Sequence, residues 1–295
     1  MIRAEIDELQ AIRNRQGLPP LLIAADQEGG LVSRLSPPLT RMPPLAEVIA
    51  GHKDPADRRA AVQLYAAAKA QELASLGVNI NFAPVVDLNH KVVNPEDRHS
   101  RIHERAISTD PAVIADVADT YCAVLHEAGV RCTLKHFPGL GRVFEDTHRD
   151  SADLAASLDE LAVSDWVPFR RLMQSGEPLV MLGHVRLTAL DPERPVSFSR
   201  RVVDGLIRKG WGYGGLLITD DFSMGAVQRS NGGIAAAGIA ALKAGVDLIL
   251  ISYDNDQFYF VMQALLAAER EGRLKPEALS RSVERLARMT RGPIQ

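Results

Sequence analysis

The chain has 295 residues, 46% of them hydrophobic and 24% charged, with a net charge of −3 at pH 7. That length suits one large α/β domain, here residues 1–295 taken as a single unit. The near-neutral balance, with Lys and Arg scattered, gives no basic patch for a nucleic acid, and no run of about 18 or more apolar residues suggests a membrane span.

The opening stretch MIRAEIDELQ is charged and lacks the apolar centre of a signal peptide, which points to the cytoplasm. Ile2, Ile6 and Leu9 share one face, so residues 1–15 read as a helix. Near-continuous apolar runs at 21–25 (LLIAA), 78–86 (VNINFAPVV), 131–134, 179–182 (LVML), 215–218 (GLLI) and 248–251 (LILI) read as strands buried on both faces. Helical patterns fall between them. Residues 57–76 form one, stopping at Gly77. Asp110 caps a second, with Pro111 at its first position and its end near Gly129. Ser199 caps a third through Arg208, residues 234–244 form a fourth ending at Gly245, and Pro276 opens a last one. This βα order predicts an α/β fold with a parallel sheet. Cys122 and Cys132 are too few for a disulfide framework or a zinc site, so two buried thiols are expected.

The strand ends carry chemistry. The first run leads into Asp26, the second into Asp87, the third into Lys135 and His136, the fourth into His184 and the fifth into Asp220. In a barrel enzyme the active site lies at that end of the strands. Asp221 follows Asp220, and adjacent side chains on a strand point to opposite sides, so one carboxylate enters the site and the other holds a loop. Asp146-Thr147-His148 sets a carboxylate two residues from an imidazole, a pairing that turns His into a general acid or base. Gly139 and Gly141 give the intervening loop freedom to carry this pair. Other chemistries fit the same residue types. Lys135 could form a Schiff base, His136, His148 and His184 with Asp26 could hold a metal, and a sugar-binding barrel could keep the pocket without turnover.

The ordered motifs resemble glycoside hydrolase family 3, in particular its bacterial β-N-acetylglucosaminidase (NagZ-type) branch. LLIAADQEGG at 21–30, NFAPVVD at 81–87, RAISTDP at 105–111, KHFPGLG at 135–141 with DTH at 146–148, and LLITDDFSM at 216–224 carry the resemblance over nearly the whole chain. It implies a (β/α)8 TIM-type barrel, whole or lacking its N-terminal strand region. It implies Asp220 as nucleophile, His148 as acid/base and Asp146 as the group that tunes it. Asp26, Arg105, Lys135, His136 and His184 would bind the sugar, with no cofactor and no metal. The implied reaction is retaining hydrolysis of terminal β-linked N-acetylglucosamine, with peptidoglycan fragments carrying it on anhydro-N-acetylmuramic acid as substrates. A phosphorylase or a β-glucosidase is the alternative within the family.

Leu140, Arg142 and Val143 depart from the family's loop pattern, and the segment before Arg105, NPEDRHSRIHER, is longer and brings Arg98 and Arg101 as rivals to Arg105. The helical start in place of strand material predicts two exposed sheet edges and an exposed slice of core, compensated by a second chain or evident as poor solubility.

Overall fold

A computed structural model describes residues 1–175, 178–230, 232–252 and 254–290. Its centre is a parallel sheet of β1 (Ala24–Ala25), β2 (Ile80–Asn81), β3 (Arg131–Phe137), β4 (Leu179–Leu182), β5 (Leu217–Asp221) and β6 (Leu248–Leu250), in that spatial order. Spatial order follows chain order, as in the winding of a βα barrel. Among the described residues β1 and β6 do not pair with each other, so the sheet is an open, curled part of a barrel. The run 78–86 yields only a short strand. Pro84 has no N–H to donate, and past Asn81 the one further bridge among the described residues is Val85 to Lys135.

Helices pack around this sheet. Among the described residues, those of eight residues or more are α1 (Ile2–Arg15), α2 (Pro55–Ser75), α3 (Pro111–Glu127), α4 (Trp166–Met173), α5 (Arg201–Gly210, wound as a π-helix), α6 (Gly233–Ala244), α7 (Asn255–Arg270) and α8 (Pro276–Thr290). Asp54 and Asp110 cap α2 and α3 by accepting the N–H groups of Ala56 and Asp57, and of Ala112 and Val113. The helix expected from Ser199 to Arg208 is α5. α7 was not readable, because FYFVMQALLAA is apolar almost all round and shows no stripe; Phe258, Tyr259 and Phe260 remain exposed on it.

The thiol expectation is corrected. Cys122 on α3 and Cys132 on β3 form a disulfide across a Cα–Cα distance of 5.4 Å. The tight connection at Gly129 folds α3 back along β3, which brings positions ten apart in sequence within reach of a bond.

The exposed slice of core is covered in part from within the chain. Leu286 and Met289 of α8 pack against the inward-facing Ile80, Phe82, Leu179, Met181, Leu216 and Ile218. α8 is tied there by Asp247, at the start of β6. Asp247 accepts hydrogen bonds from Ser282 Oγ (2.5 Å), Arg285 Nε (2.8 Å), Arg208 Nη2 (2.6 Å) and the N–H of Leu217 (2.8 Å). Asp247→Ala leaves two largely buried guanidinium groups without their carboxylate. The expected loss is about 3–5 kcal/mol of stability, read from the urea midpoint. A loss under about 1 kcal/mol would show that α8 is held by its apolar contacts alone.

Candidate active site

The five strand ends converge. Asp26 follows β1 and is about a third exposed, while Lys135, His136 and His184 are nearly buried. Lys135 Nζ lies 2.5 Å from Asp26 Oδ1 and 2.6 Å from Glu28 Oε1. Arg105 grips Glu28 with two bonds, Nε to Oε2 at 3.0 Å and Nη2 to Oε1 at 2.7 Å, and its Nη2 stands 3.4 Å from His136 Nε2. Burial alone would raise the Glu28 carboxyl, but Arg105 and Lys135 pull it down to about 2. Burial would lower the Lys135 ammonium, yet Asp26 and Glu28 hold it above the usual lysine value. A lysine so held stays protonated, which removes it as a Schiff-base nucleophile.

Glu28 is the residue that the motif reading missed, although a signal existed. It lies two positions after Asp26 in an extended segment that continues into a short strand, Gln27–Gly29, and alternate residues of a strand share a face. Lys69 of α2 supports that strand from behind, donating to the Gln27 carbonyl at 3.1 Å, and burial brings its ammonium down to about 8. Of the three arginines, one reaches the other strand-end groups. Arg101 pairs with its neighbour Glu104 at 2.6 Å and Arg98 is exposed, whereas Arg105 reaches the cluster.

Asp87, fully buried, orients the next group. Its Oδ2 lies 2.8 Å from His136 Nδ1, and its Oδ1 accepts the N–H of Leu140 at 2.7 Å. A carboxylate at Nδ1 fixes the proton there and leaves Nε2 to face the cluster. His184 sits deeper. Its Nδ1 is 2.8 Å from Ser197 Oγ and its Nε2 donates to the carbonyl of Asp221 at 3.1 Å. Both ring nitrogens are therefore committed, which argues against the metal set and places His184 behind the end of β5.

Asp220 and Asp221 divide as strand geometry requires. Asp221 turns away, accepting from Ser223 N–H (2.9 Å), Ser223 Oγ (2.6 Å), Ser252 N–H (3.1 Å) and Ser252 Oγ, so it ties the loops after β5 and β6. Asp220 is half-buried and, among the described residues, its carboxylate accepts only the N–H of Asp221, at 2.8 Å. Burial would raise its carboxyl, but the imidazoles of His136, His184 and His148 outweigh that and hold it below the usual aspartate value. It is an ionised carboxylate with a free oxygen, which is what nucleophilic attack on carbon needs.

The loop after β3 brings His148 within electrostatic reach of this carboxylate. Its first half is packed down. Leu140 is buried and Arg142 pairs with the buried Asp165 at 2.9 Å, so two departures from the family pattern serve as anchors. Gly139 has φ +106°, and a Cβ on Gly141 would stand 1.7 Å from the Leu88 carbonyl. These glycines satisfy a left-handed turn and a close approach, where free motion was expected. The second half reaches the segment after β5, where the N–H of Gly225 donates to the His148 carbonyl at 2.7 Å. His148 Nδ1 lies 3.3 Å from Asp146 Oδ1. Burial lowers the His148 imidazolium below the usual histidine value, with Asp220 and Asp146 opposing in part. An imidazole within electrostatic reach of an ionised carboxylate, at the same end of the sheet as a charge-balanced polar cluster, is an arrangement that can support double displacement at a sugar carbon.

Residues 3–289 match the model of the glycosyl hydrolase family 3 N terminal domain. The chain belongs to glycosyl hydrolase family 3. Within it, the chain is 39% identical over 255 residues to a β-hexosaminidase of Xylella fastidiosa, covering 85% of this chain and 72% of that one. It is 36% identical over 252 residues to a β-hexosaminidase of Xanthomonas euvesicatoria, covering 85% of this chain and 73% of the other. Among solved structures, a family 3 β-N-acetylglucosaminidase from Paenibacillus superposes with a TM-score of 0.90 at 33% identity. That match covers 98% of this chain but 53% of the Paenibacillus enzyme, so the chain spans about half its length. A β-N-acetylhexosaminidase from Beutenbergia cavernae gives a TM-score of 0.84 at 30% identity, covering 98% of this chain and 84% of that one. This family 3 chain is thus a curled α/β barrel domain, in line with the expected fold class.

Proposed function

We propose that this chain is a retaining exo-β-N-acetylglucosaminidase, a glycoside hydrolase that releases terminal β-linked N-acetylglucosamine. The observation that carries the reading is the meeting of the loop that bears His148 with the segment after Asp220, where Gly225 N–H donates to the His148 carbonyl at 2.7 Å and the imidazole and carboxylate act on each other electrostatically. Asp220 attacks the anomeric carbon while His148 protonates the leaving oxygen. His148 then takes a proton from the incoming water, which cleaves the glycosyl-aspartate with net retention. Asp26, Arg105, Lys135 and His136 hold the hydroxyls of the terminal sugar, with Glu28 keeping Arg105 and Lys135 in place. His184 holds the backbone that carries Asp220. The substrate class extends to peptidoglycan fragments with N-acetylglucosamine on anhydro-N-acetylmuramic acid, a reading that rests on the resemblance of the motifs to the NagZ-type branch.

Incubation with a nitrophenyl N-acetylglucosaminide, with and without phosphate, tests the proposal. Free N-acetylglucosamine, in an amount unchanged by phosphate, is expected. The sugar phosphate would make it a phosphorylase, since an imidazole acid/base does not repel an incoming anion as a carboxylate would. Equal rates on the glucoside would make it a β-glucosidase, and binding without product would leave a sugar-binding barrel.

No helix among the described residues is long and apolar enough to cross a membrane. Cytoplasmic residence, expected from the charged start, is opposed by one observation. Cys122 and Cys132 are bonded, and disulfides persist mainly in oxidising compartments. We therefore place the working protein in an oxidising compartment. Thiol alkylation of unreduced, unfolded protein taken from cells should label neither cysteine. Two labelled thiols in the cytoplasmic fraction would restore the first placement.

A further inference from the structure

The contact between Asp146 and His148 has a third member. We propose that Ser100 is a positioning residue for the acid/base, the hydroxyl through which Asp146 acts on His148. The inference rests on the reading of His148 as acid/base.

Ser100 is 5% exposed and comes from the lengthened segment before Arg105. Its Oγ donates to Asp146 Oδ1 at 3.2 Å and lies 3.3 Å from His148 Nδ1 and 3.3 Å from Thr147 Oγ1. The direct approach of Nδ1 to Asp146 Oδ1, also 3.3 Å, is an ion-pair contact; the hydrogen bond at that nitrogen is to Ser100. A serine hydroxyl has one proton and two lone pairs. The proton goes to Asp146, one lone pair accepts the imidazole Nδ1–H, and the other accepts the Thr147 hydroxyl. The hydroxyl is thereby saturated, and the imidazole proton is fixed on Nδ1 with Nε2 left for the substrate.

Asp146 has little else to hold it. Its Oδ1 also accepts the N–H of His148 at 3.1 Å, while its Oδ2 is buried with no hydrogen-bond partner. Among the described residues, Ser100 is the only side-chain hydroxyl donating to this carboxylate. Its removal would therefore loosen both members of the pair.

The backbone aims Ser100 at this point. Asp97 Oδ1 accepts the N–H groups of His99 (3.1 Å) and Ser100 (2.8 Å), and its Oδ2 accepts that of Arg101 (2.7 Å). The carbonyl of Ser100 in turn accepts Arg105 Nη1 at 2.7 Å. One residue thus joins the sugar-binding arginine to the acid/base, so filling of the clamp and alignment of His148 share a support.

The test compares Ser100→Ala, Ser100→Thr, His148→Ala and the Ser100→Ala/His148→Ala double variant. Each is assayed on an N-acetylglucosamine disaccharide and on dinitrophenyl N-acetylglucosaminide. Ser100→Ala should lower kcat on the disaccharide about tenfold, the worth of one charge-assisted hydrogen bond, with KM changed less than about twofold. The alkaline limb of its disaccharide kcat/KM should move to lower pH, because the imidazolium loses its acceptor. Its dinitrophenolate burst should stay near that of the unmodified enzyme. Ser100→Thr, which keeps the hydroxyl, should restore both rate and limb. The double variant should be no slower than His148→Ala, since both act on one proton transfer. An unchanged kcat and limb in Ser100→Ala, additive losses in the double variant, or a rise in KM alone would overturn the proposal. If Ser100→Ala lost its fold, Ser100→Cys, of like size and weak hydrogen bonding, carries the same comparison. Should His148→Ala itself show no leaving-group dependence, the acid/base reading falls and Ser100 with it. Silence of Ser100→Ala alone removes only Ser100.

Discussion

Asp220→Ala is expected to lose turnover on every substrate by at least about a thousandfold, or ~4 kcal/mol of transition-state stabilisation. The loss should not depend on the aglycone. Attack at the anomeric carbon forms the only covalent intermediate of the proposed route, and a better leaving group cannot replace an absent nucleophile. The fold should survive, because Asp220 accepts one backbone hydrogen bond while its neighbour Asp221 ties the loops. The vacated space can admit azide. Azide would then attack from the face Asp220 occupied, giving the inverted glycosyl azide. Steady-state rates on aryl glycosides and a disaccharide check the first part, and product stereochemistry checks the second. Near-normal turnover by Asp220→Ala on any aryl glycoside would remove Asp220 as nucleophile and with it the glycosyl-aspartate route.

The sheet was legible because each strand is a short apolar run ending in a polar group, and a parallel strand buried on both faces has no other pattern. The same economy hid α7, whose apolar surface runs round the helix and leaves no stripe to count. Strand ends told which residues meet, since Asp26, Asp87, Lys135, His136, His184 and Asp220 all lie at or shortly past the end of one. They could not tell which of those residues face substrate. That division comes from partners distant in sequence. Asp87 turns out to orient His136, and Ser197 holds His184. Glu28 was readable by strand period and was overlooked beside Asp26. Ser100 was not readable, since a serine in an irregular turn has no periodicity, and its role appears only when a loop 46 residues on folds over it. The disulfide was hidden for a like reason, since a spacing of ten says nothing until a helix and a strand are set side by side.

His148→Ala should separate substrates by leaving group. A disaccharide has a poor leaving group that must be protonated as the bond breaks, so its kcat/KM should fall by about 10²–10⁴-fold. Dinitrophenolate departs without a proton, so glycosyl transfer to Asp220 should stay within about tenfold of normal. Water then lacks its base, the glycosyl-aspartate accumulates, and a burst of dinitrophenolate precedes a slow steady state. Azide, which needs no base, should accelerate that steady state and give the retained azide, the opposite stereochemistry to Asp220→Ala. The pH profile carries the same assignment. Burial lowers the His148 imidazolium below the ordinary value of 6.5, and the Asp220 carboxyl lies below its ordinary 3.8. The acid must be protonated and the nucleophile ionised, so kcat/KM on the disaccharide should be greatest between those two transitions, on the acid side of neutrality. It should fall as pH rises through the His148 transition, below about 6.5. With dinitrophenyl N-acetylglucosaminide the alkaline limb of the glycosylation step should be absent, because no proton is delivered. A His148→Ala variant that cleaves the disaccharide at the normal rate, or an alkaline limb that persists in it, would move the acid/base role to another group.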